Sequence, residues 1–466
     1  MTIALALAVA LFLPWAAGTL CLIAVGRDAS RSTLLAAVAY GQLAGIALLT
    51  LFMRVASYIA LPWSFAGLAS ALAAVSVGAA IVLRVRGAGT PATRVAIGAP
   101  LGDAWRILAA LAALLLVARC ASLAYEVVLQ PLYPWDAWTQ WATKAKVWSA
   151  LRGMAPFIGY TQWLAGNPGY VDTAPHYPAT VPLLQAWIAL ALGRFDDALV
   201  NLPWLAIYVA LGVGIYAQLR RLDVAAPLAL IVTYMGLSLP LLDTHVALAG
   251  YADLPVAATL ALGMLALMRW ERDRSRVDLV FVAIAIALLP TLKVPGVVWA
   301  ATLLLGLLIA AFGRSWRRIV LVTLAIAAAS AIVVALLFRG KFVSVSGQSQ
   351  AEIAEPMVAN LFLFDNWHLL WYVVPVAIAL GWRDALRLRG TSVALVAGFA
   401  FLWATFALTR AGNWVADYTT VNRAILHIAP AALVFAGYLF ARWGKRRDDA
   451  LAANTRAGFA GETASS

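Results

Sequence analysis

The sequence predicts an all-α polytopic membrane protein, and three observations carry that prediction. Of 466 residues, 64% are hydrophobic and only 12% are charged, and the mean hydropathy is +0.88, outside the range of soluble globular chains. Apolar runs close to the ~20 residues of a bilayer crossing recur from end to end. Basic residues gather in short stretches between those runs and not in one patch.

The runs lie near 3–25, 33–53, 57–83, 104–129, 178–193, 199–219, 225–242, 252–269, 277–291, 294–313, 318–338, 367–382, 391–409 and 424–442. About 13–14 transmembrane helices are therefore expected. The first run matches its successors in length and lacks a basic leader and a clear small-residue cleavage site, so it reads as a helix and not as a signal peptide. Residues 1–103 form an N-terminal group of helices, and 104–442 form the main module. Residues 443–466 form a polar cytoplasmic tail, expected to be disordered from Asp448. Cys21 and Cys120 both sit inside apolar runs, which implies no disulfide framework. The sequence has no zinc spacing, phosphate-binding glycine loop or Ser-His-Asp arrangement. No internal repeat stands out, which weighs against an inverted-repeat transporter.

The net charge of +13 is topological. Clusters such as Arg84/Arg86, Arg220/Arg221, Arg269/Arg272/Arg274/Arg276 and Arg442/Lys445/Arg446/Arg447 mark cytoplasmic loops. A lipid bilayer is the expected partner, and nucleic acid is not. This assignment places the 133–177, 339–366 and 410–423 segments outside. It carries one conflict of parity, since Asp136 and Asp253 both fall outside with three runs between them. The 178–193 run, short and opening His-Tyr-Pro, is the expected partial or re-entrant helix.

Residues 133–148 are the most informative stretch. At 100° per residue, Asp136, Thr139, Gln140, Thr143, Lys144 and Lys146 share one arc, and Trp138, Trp141, Ala142, Ala145 and Trp148 take the other. That pattern suits a surface-lying helix anchored by tryptophan, with Asp136 as an acid held at the boundary. Other ionisable groups lie at outer helix ends: Asp253, His176, Lys293, Arg423 and His427. The helix dipole alone accounts for an acid at a helix start, and snorkelling alone accounts for Arg423. Arg119 lies inside a run and is expected to be structural, facing a partner within the bundle, with Glu126 on the same face.

These groups suit sugar transfer from a lipid-linked phosphate. That reaction needs a carboxylate for the acceptor and cations for the departing phosphate. Asp136 with Lys144, Lys293 and Arg423 supplies both.

The order of motifs resembles the GT-C superfamily of integral-membrane glycosyltransferases, in the bacterial branch related to protein O-mannosyltransferases and the lipid A aminoarabinose transferase. The resemblance covers roughly 104–442. It rests on Trp135-Asp136-Ala137 after a helix, His176-Tyr177-Pro178, Tyr251-Ala252-Asp253-Leu254-Pro255, Leu292-Lys293-Val294-Pro295-Gly296 and Asn422-Arg423-Ala424-Ile425-Leu426-His427. It implies a catalytic carboxylate at Asp136, a second acid at Asp253, and Lys144, Lys293 and Arg423 holding the donor phosphate. Trp135, Gln140, His176, Tyr177, Tyr251 and His427 are the candidates for lining the cleft. The implied partners are a polyprenyl-phosphate-linked sugar donor and an acceptor of unspecified class. The implied place is the bacterial inner membrane, with the site facing the periplasm. Asp136 and Asp253 have the chemistry of a hard-cation site, yet no metal or other cofactor is expected. The chain departs from the family in its three additional N-terminal helices and in having no sizeable soluble C-terminal domain. The alternatives are an outer-surface glycan polymerase or ligase that holds lipid diphosphates with arginines of the 339–366 and 410–423 loops, and a lipid or solute transporter.

Overall fold

The computed structural model describes residues 2–26, 31–86, 102–313, 315 and 350–464. Within them the chain is almost wholly helical. It opens with α1 (Ile3–Val25), α2 (Arg31–Tyr58), α3 (Phe65–Arg86) and α4 (Asp103–Leu129). A π-helical turn, Ala137–Ala142, runs into α5 (Thr143–Leu151), followed by β1 (Phe157–Ile158), α6 (Tyr160–Leu164) and β2 (Tyr170–Val171), the strands forming one short parallel pair. Next come α7 (Thr180–Leu192), α8 (Leu202–Arg221), α9 (Ala226–Leu237), α10 (Pro240–Ala247), α11 (Asp253–Asp273), α12 (Arg276–Leu292) and α13 (Gly296–Phe312). The last four helices are α14 (Gln350–Val358), α15 (Leu370–Arg387), α16 (Arg389–Leu408) and α17 (Thr419–Ala464).

Eight helices among the described residues are long and apolar enough to cross a membrane, or nine spans if α9 and α10, bent by 62°, count as one. The sequence reading gave about 13–14. The difference has several sources. The 178–193 run forms the 13-residue α7, and the 277–291 and 294–313 runs form helices of 17 residues each. The 18-residue α15 carries Arg383, Asp384 and Arg387 in its last turns. The 318–338 run and residues 339–349 of the second loop lie outside the described residues. The tail expected to be disordered continues as helix through Ala464, consistent with its alanine content and its lack of proline.

Helix α11 is the axis of the bundle. Its apolar window is 89% buried, against 11% for α4, and it packs on α8, α12, α13 and α17. Small residues bring α1 and α2 together: a Cβ on Gly45 would stand 2.2 Å from the Pro14 carbonyl oxygen, and one on Gly41 would stand 2.0 Å from Thr19 Oγ1. Gly41 and Gly45 are thus a GxxxG pair, a spacing that lets two backbones touch.

The 21 residues of α11 extend ~31 Å, about one hydrocarbon thickness. Polar clusters therefore sit at two opposite ends. At the far end Arg221 holds Asp278 through two bonds of 2.5 and 2.8 Å, with Gln218 and Tyr40 alongside. There too Glu271 accepts from the Gly390 and Thr391 amides at 2.8 and 3.1 Å, capping α16. The near end holds Asp136, Asp253, Lys293 and Arg423.

This arrangement removes the parity conflict. Thr180, at the start of α7, bonds Thr291 in the last turn of α12 at 2.9 Å, which puts it at the near end. Helix α8 also starts there, since Trp204 Nε1 donates to the Tyr251 carbonyl at 2.7 Å. A 13-residue α7 spans only ~20 Å, so it leaves and regains the same end without crossing. Two crossings, α8 and the bent α9–α10 pair, then separate Asp136 from Asp253. The bend leaves backbone groups to be satisfied: Tyr208 Oη donates to the Leu237 carbonyl at 2.8 Å, and a His368 ring nitrogen lies 3.1 Å from the Ser238 carbonyl. Arg119 finds its ion-pair partner on α10, where Asp243 meets it; the expected neighbour, Glu126, is not that partner.

Candidate functional site

Asp136 and Asp253 are far apart in sequence and are brought together by one arginine. Gly250 makes the approach possible. It adopts φ +108°, and a Cβ there would meet Leu132 Cδ1 at 2.7 Å and Ala137 Cβ at 2.9 Å, so only glycine fits. Asp253 follows at the first turn of α11 and is completely buried. Its Oδ1 accepts from Lys293 Nζ at 2.6 Å and lies 2.8 Å from His427 Nε2, while its Oδ2 accepts from Arg423 Nε at 3.1 Å. Lys293 reaches it because Pro295 and Gly296 start α13 just after α12 ends, so the lysine leaves the junction between two helices. Arg423 and His427 are four residues apart, hence on one face of α17.

Arg423 also donates from Nη1 to Asp136 Oδ2 at 2.5 Å, and its guanidinium lies 4.4 Å from the Tyr251 ring centre. Asp136 does not cap its own helix. Its second oxygen accepts from Gln140 Nε2 at 3.1 Å. Exposure grades across the cluster: the side chains of Asp136 and Arg423 are 25% and 22% exposed, Lys293 11% and His427 3%.

The state of His427 follows from its neighbours. Trp299 Nε1 donates to His427 Nδ1 at 3.0 Å, and an indole N–H can only donate. Nδ1 is therefore the bare nitrogen, and Nε2 carries the proton it gives to Asp253. With His427 neutral, two acids balance two cations.

The structure brings together Asp136, Asp253, Lys293, Arg423, His427, Gln140 and Tyr251. Tyr177 stands beside them: burial raises its hydroxyl pKa first, the charges of Asp253 and Asp136 add to this, and Arg423 opposes it. His427 is packed behind Asp253 and does not line a cleft. Trp135 is exposed and sits edge-on to Trp138 at 5.3 Å, and the exposed His176 ring sits edge-on to Tyr177 at 5.1 Å.

Lys144 lies elsewhere. It is buried, donating to the Ala174 carbonyl at 2.6 Å and standing 3.6 Å from Asp172. Burial holds its ammonium below the ordinary lysine range and lifts the Asp172 carboxyl above its own. Lys144 stands at the edge of the expected polar arc, three residues after Trp141 and four before Trp148, and so shares their helical face. Lys144 lies with Trp141 and Trp148 inside the fold, and those two tryptophans are core and not anchors. Lys144→Met is expected to cost about 3 kcal/mol of stability by stranding Asp172, measured as a lower unfolding midpoint, with phosphate affinity unchanged. Weakened phosphate binding in a stable variant would return Lys144 to the site.

Two further residues border the cluster without having been singled out in the sequence. Trp299 fixes the tautomer of His427. His245, buried on α10, stands 5.3 Å ring to ring from Tyr251. Trp299 lies within an apolar run and His245 just past the end of one, with no motif around either, so no sequence signal marks them. Among the described residues, no group of three or more His, Cys, Asp or Glu side chains is placed to hold a metal ion. The Arg423 guanidinium lies between the two acids. No protein-family model, curated protein or solved structure matches the chain.

Proposed function

We propose that this protein is a glycosyltransferase of the bacterial inner membrane, moving a sugar from a polyprenyl-phosphate donor to an acceptor on the periplasmic face. The reading rests on one observation: Arg423 bridges a partly exposed acid, Asp136, and a fully buried one, Asp253. A buried, multiply bonded acid is suited to holding a cation in place, and a partly exposed acid is suited to meeting a substrate. The near-end position, at the termini of α11 and α17, is where a lipid-borne phosphate would present itself. The motif order that resembles GT-C enzymes supports the same reading.

In this mechanism an acceptor hydroxyl oxygen attacks the anomeric carbon as the bond from that carbon to the phosphate oxygen breaks. The bonding pair leaves with the polyprenyl phosphate, whose charge Arg423 stabilises. The hydroxyl proton passes to Asp136 as general base. Lys293 and His427 act through Asp253, keeping Arg423 in place.

The test uses purified protein in proteoliposomes with radiolabelled decaprenyl-phosphate sugars and an envelope extract as acceptor. Label should appear in a new covalent product. Movement of the lipid or of a solute across the bilayer without any product would assign the chain to transport instead.

A further inference from the structure

The resting cluster presents a difficulty for any anionic ligand, because its charges already cancel. Two carboxylates offset Lys293 and Arg423, and the Trp299 contact keeps His427 neutral. A phosphate approaching this site meets no net positive charge. It must take a cation away from one of the acids.

The two acids are unequal partners for that exchange. Asp253 is fully buried and has both oxygens committed, to Lys293 and His427 on one side and to Arg423 on the other. Separating it from Arg423 would leave a dry carboxylate short of a cation, which is strongly unfavourable. Asp136 is a quarter exposed, and water can take over its solvation once the arginine lets go. Gln140 steadies its other oxygen. The guanidinium itself is held in place by Asp253 and by the face of Tyr251. Its Nη1, the atom on Asp136, is thus the one that can change partner without moving the rest.

We infer that the Asp136–Arg423 bridge is a latch opened by the phosphate of the ligand: the anion takes Nη1 of Arg423, and Asp136 is released as a free carboxylate. Arg423 stays anchored to Asp253 throughout. The inference rests on the glycosyltransferase reading for its consequence, since the released carboxylate is the base for the acceptor. The coupling gives the site an order of events. Without a phosphate the acid is tied to arginine; with one it is free to accept a proton.

A latch of this kind predicts that removing the acid's charge strengthens phosphate binding. The full chain in nanodiscs is titrated with decaprenyl phosphate and, separately, with inorganic phosphate, comparing wild type with Asp136→Asn and Asp136→Ser. Both variants should bind decaprenyl phosphate about tenfold tighter than wild type, on the scale of a close charge pair. The serine variant also removes the carboxamide oxygen that asparagine still offers to Arg423. Its agreement with the asparagine variant guards against a misfolded form of either. A matching gain for inorganic phosphate shows that the group itself opens the latch; a gain for decaprenyl phosphate alone identifies the membrane-borne source. Equal or weaker binding by both variants, with wild type binding normally, overturns the latch and leaves the reading of function intact. Failure of every form to bind decaprenyl phosphate overturns that reading, and the latch with it.

Discussion

Asp253→Ala is expected to be the most destabilising single change at the near end of the bundle. The carboxylate is fully buried and contacts Lys293, Arg423 and His427 at distances of 2.6 to 3.1 Å. Its removal leaves a buried lysine without its acid, and breaking such a pair costs about 3–5 kcal/mol. Arg423 suffers less because Asp136 still faces it. The expected readout is a clear drop in the unfolding midpoint of detergent-purified protein. Lys293→Met should cost less, since Asp253 keeps Arg423 and His427. Combining the two should cost less than the sum, because the double variant strands neither charge. Additive losses, or an unchanged midpoint for Asp253→Ala, would show that the cluster does not support the fold as its geometry implies.

The same cluster shows how much was legible in the chain. Asp253, Lys293, Arg423 and His427 each stand where an apolar run begins or ends, and polar groups at such ends of neighbouring spans have a common depth. Motif order then suggested that they belong together. That Arg423 joins both acids is a tertiary fact, set by the close approach of Gly250 to Ala137 and by the packing of α11 on α17. Periodicity cannot report it. Lys144 failed for a different reason. It sits at the edge of the polar arc, three residues after Trp141 and four before Trp148, and neighbours at those spacings share a helical face, so it is buried with them. The expected 13–14 helices exceed the eight or nine long apolar helices among the described residues, because an apolar run records hydrophobicity without recording length of rise. Helix α7 is apolar because it is buried against α1, α2 and α5, not because it crosses. The bend between α9 and α10 is hidden inside the 225–242 run, although Ser238-Leu239-Pro240 marks it.

Asp136→Asn is the complementary prediction, since it should remove activity and spare the fold. The side chain is a quarter exposed, so its contact with Arg423 lies nearer a surface pair than a buried one. Asparagine keeps an oxygen for Gln140. Expression, membrane insertion and the unfolding midpoint should therefore match wild type. Sugar transfer should fall by about 10²–10⁴-fold, the usual contribution of a general base. The loss should appear in kcat and not as a raised KM, because donor phosphate is held by Arg423. Arg423→Gln should show the opposite pattern, with donor binding lost, and also a stability penalty, because Asp253 is left with Lys293 as its one cation. Arg410→Ala serves as the contrast. Arg410 is exposed in the 410–423 segment, where a polymerase or ligase would hold a lipid diphosphate. If transfer survives Asp136→Asn but not Arg410→Ala, the chemistry belongs to that loop. If it is lost with Asp136 and kept without Arg410, the partly exposed acid facing Arg423 is where the proton goes.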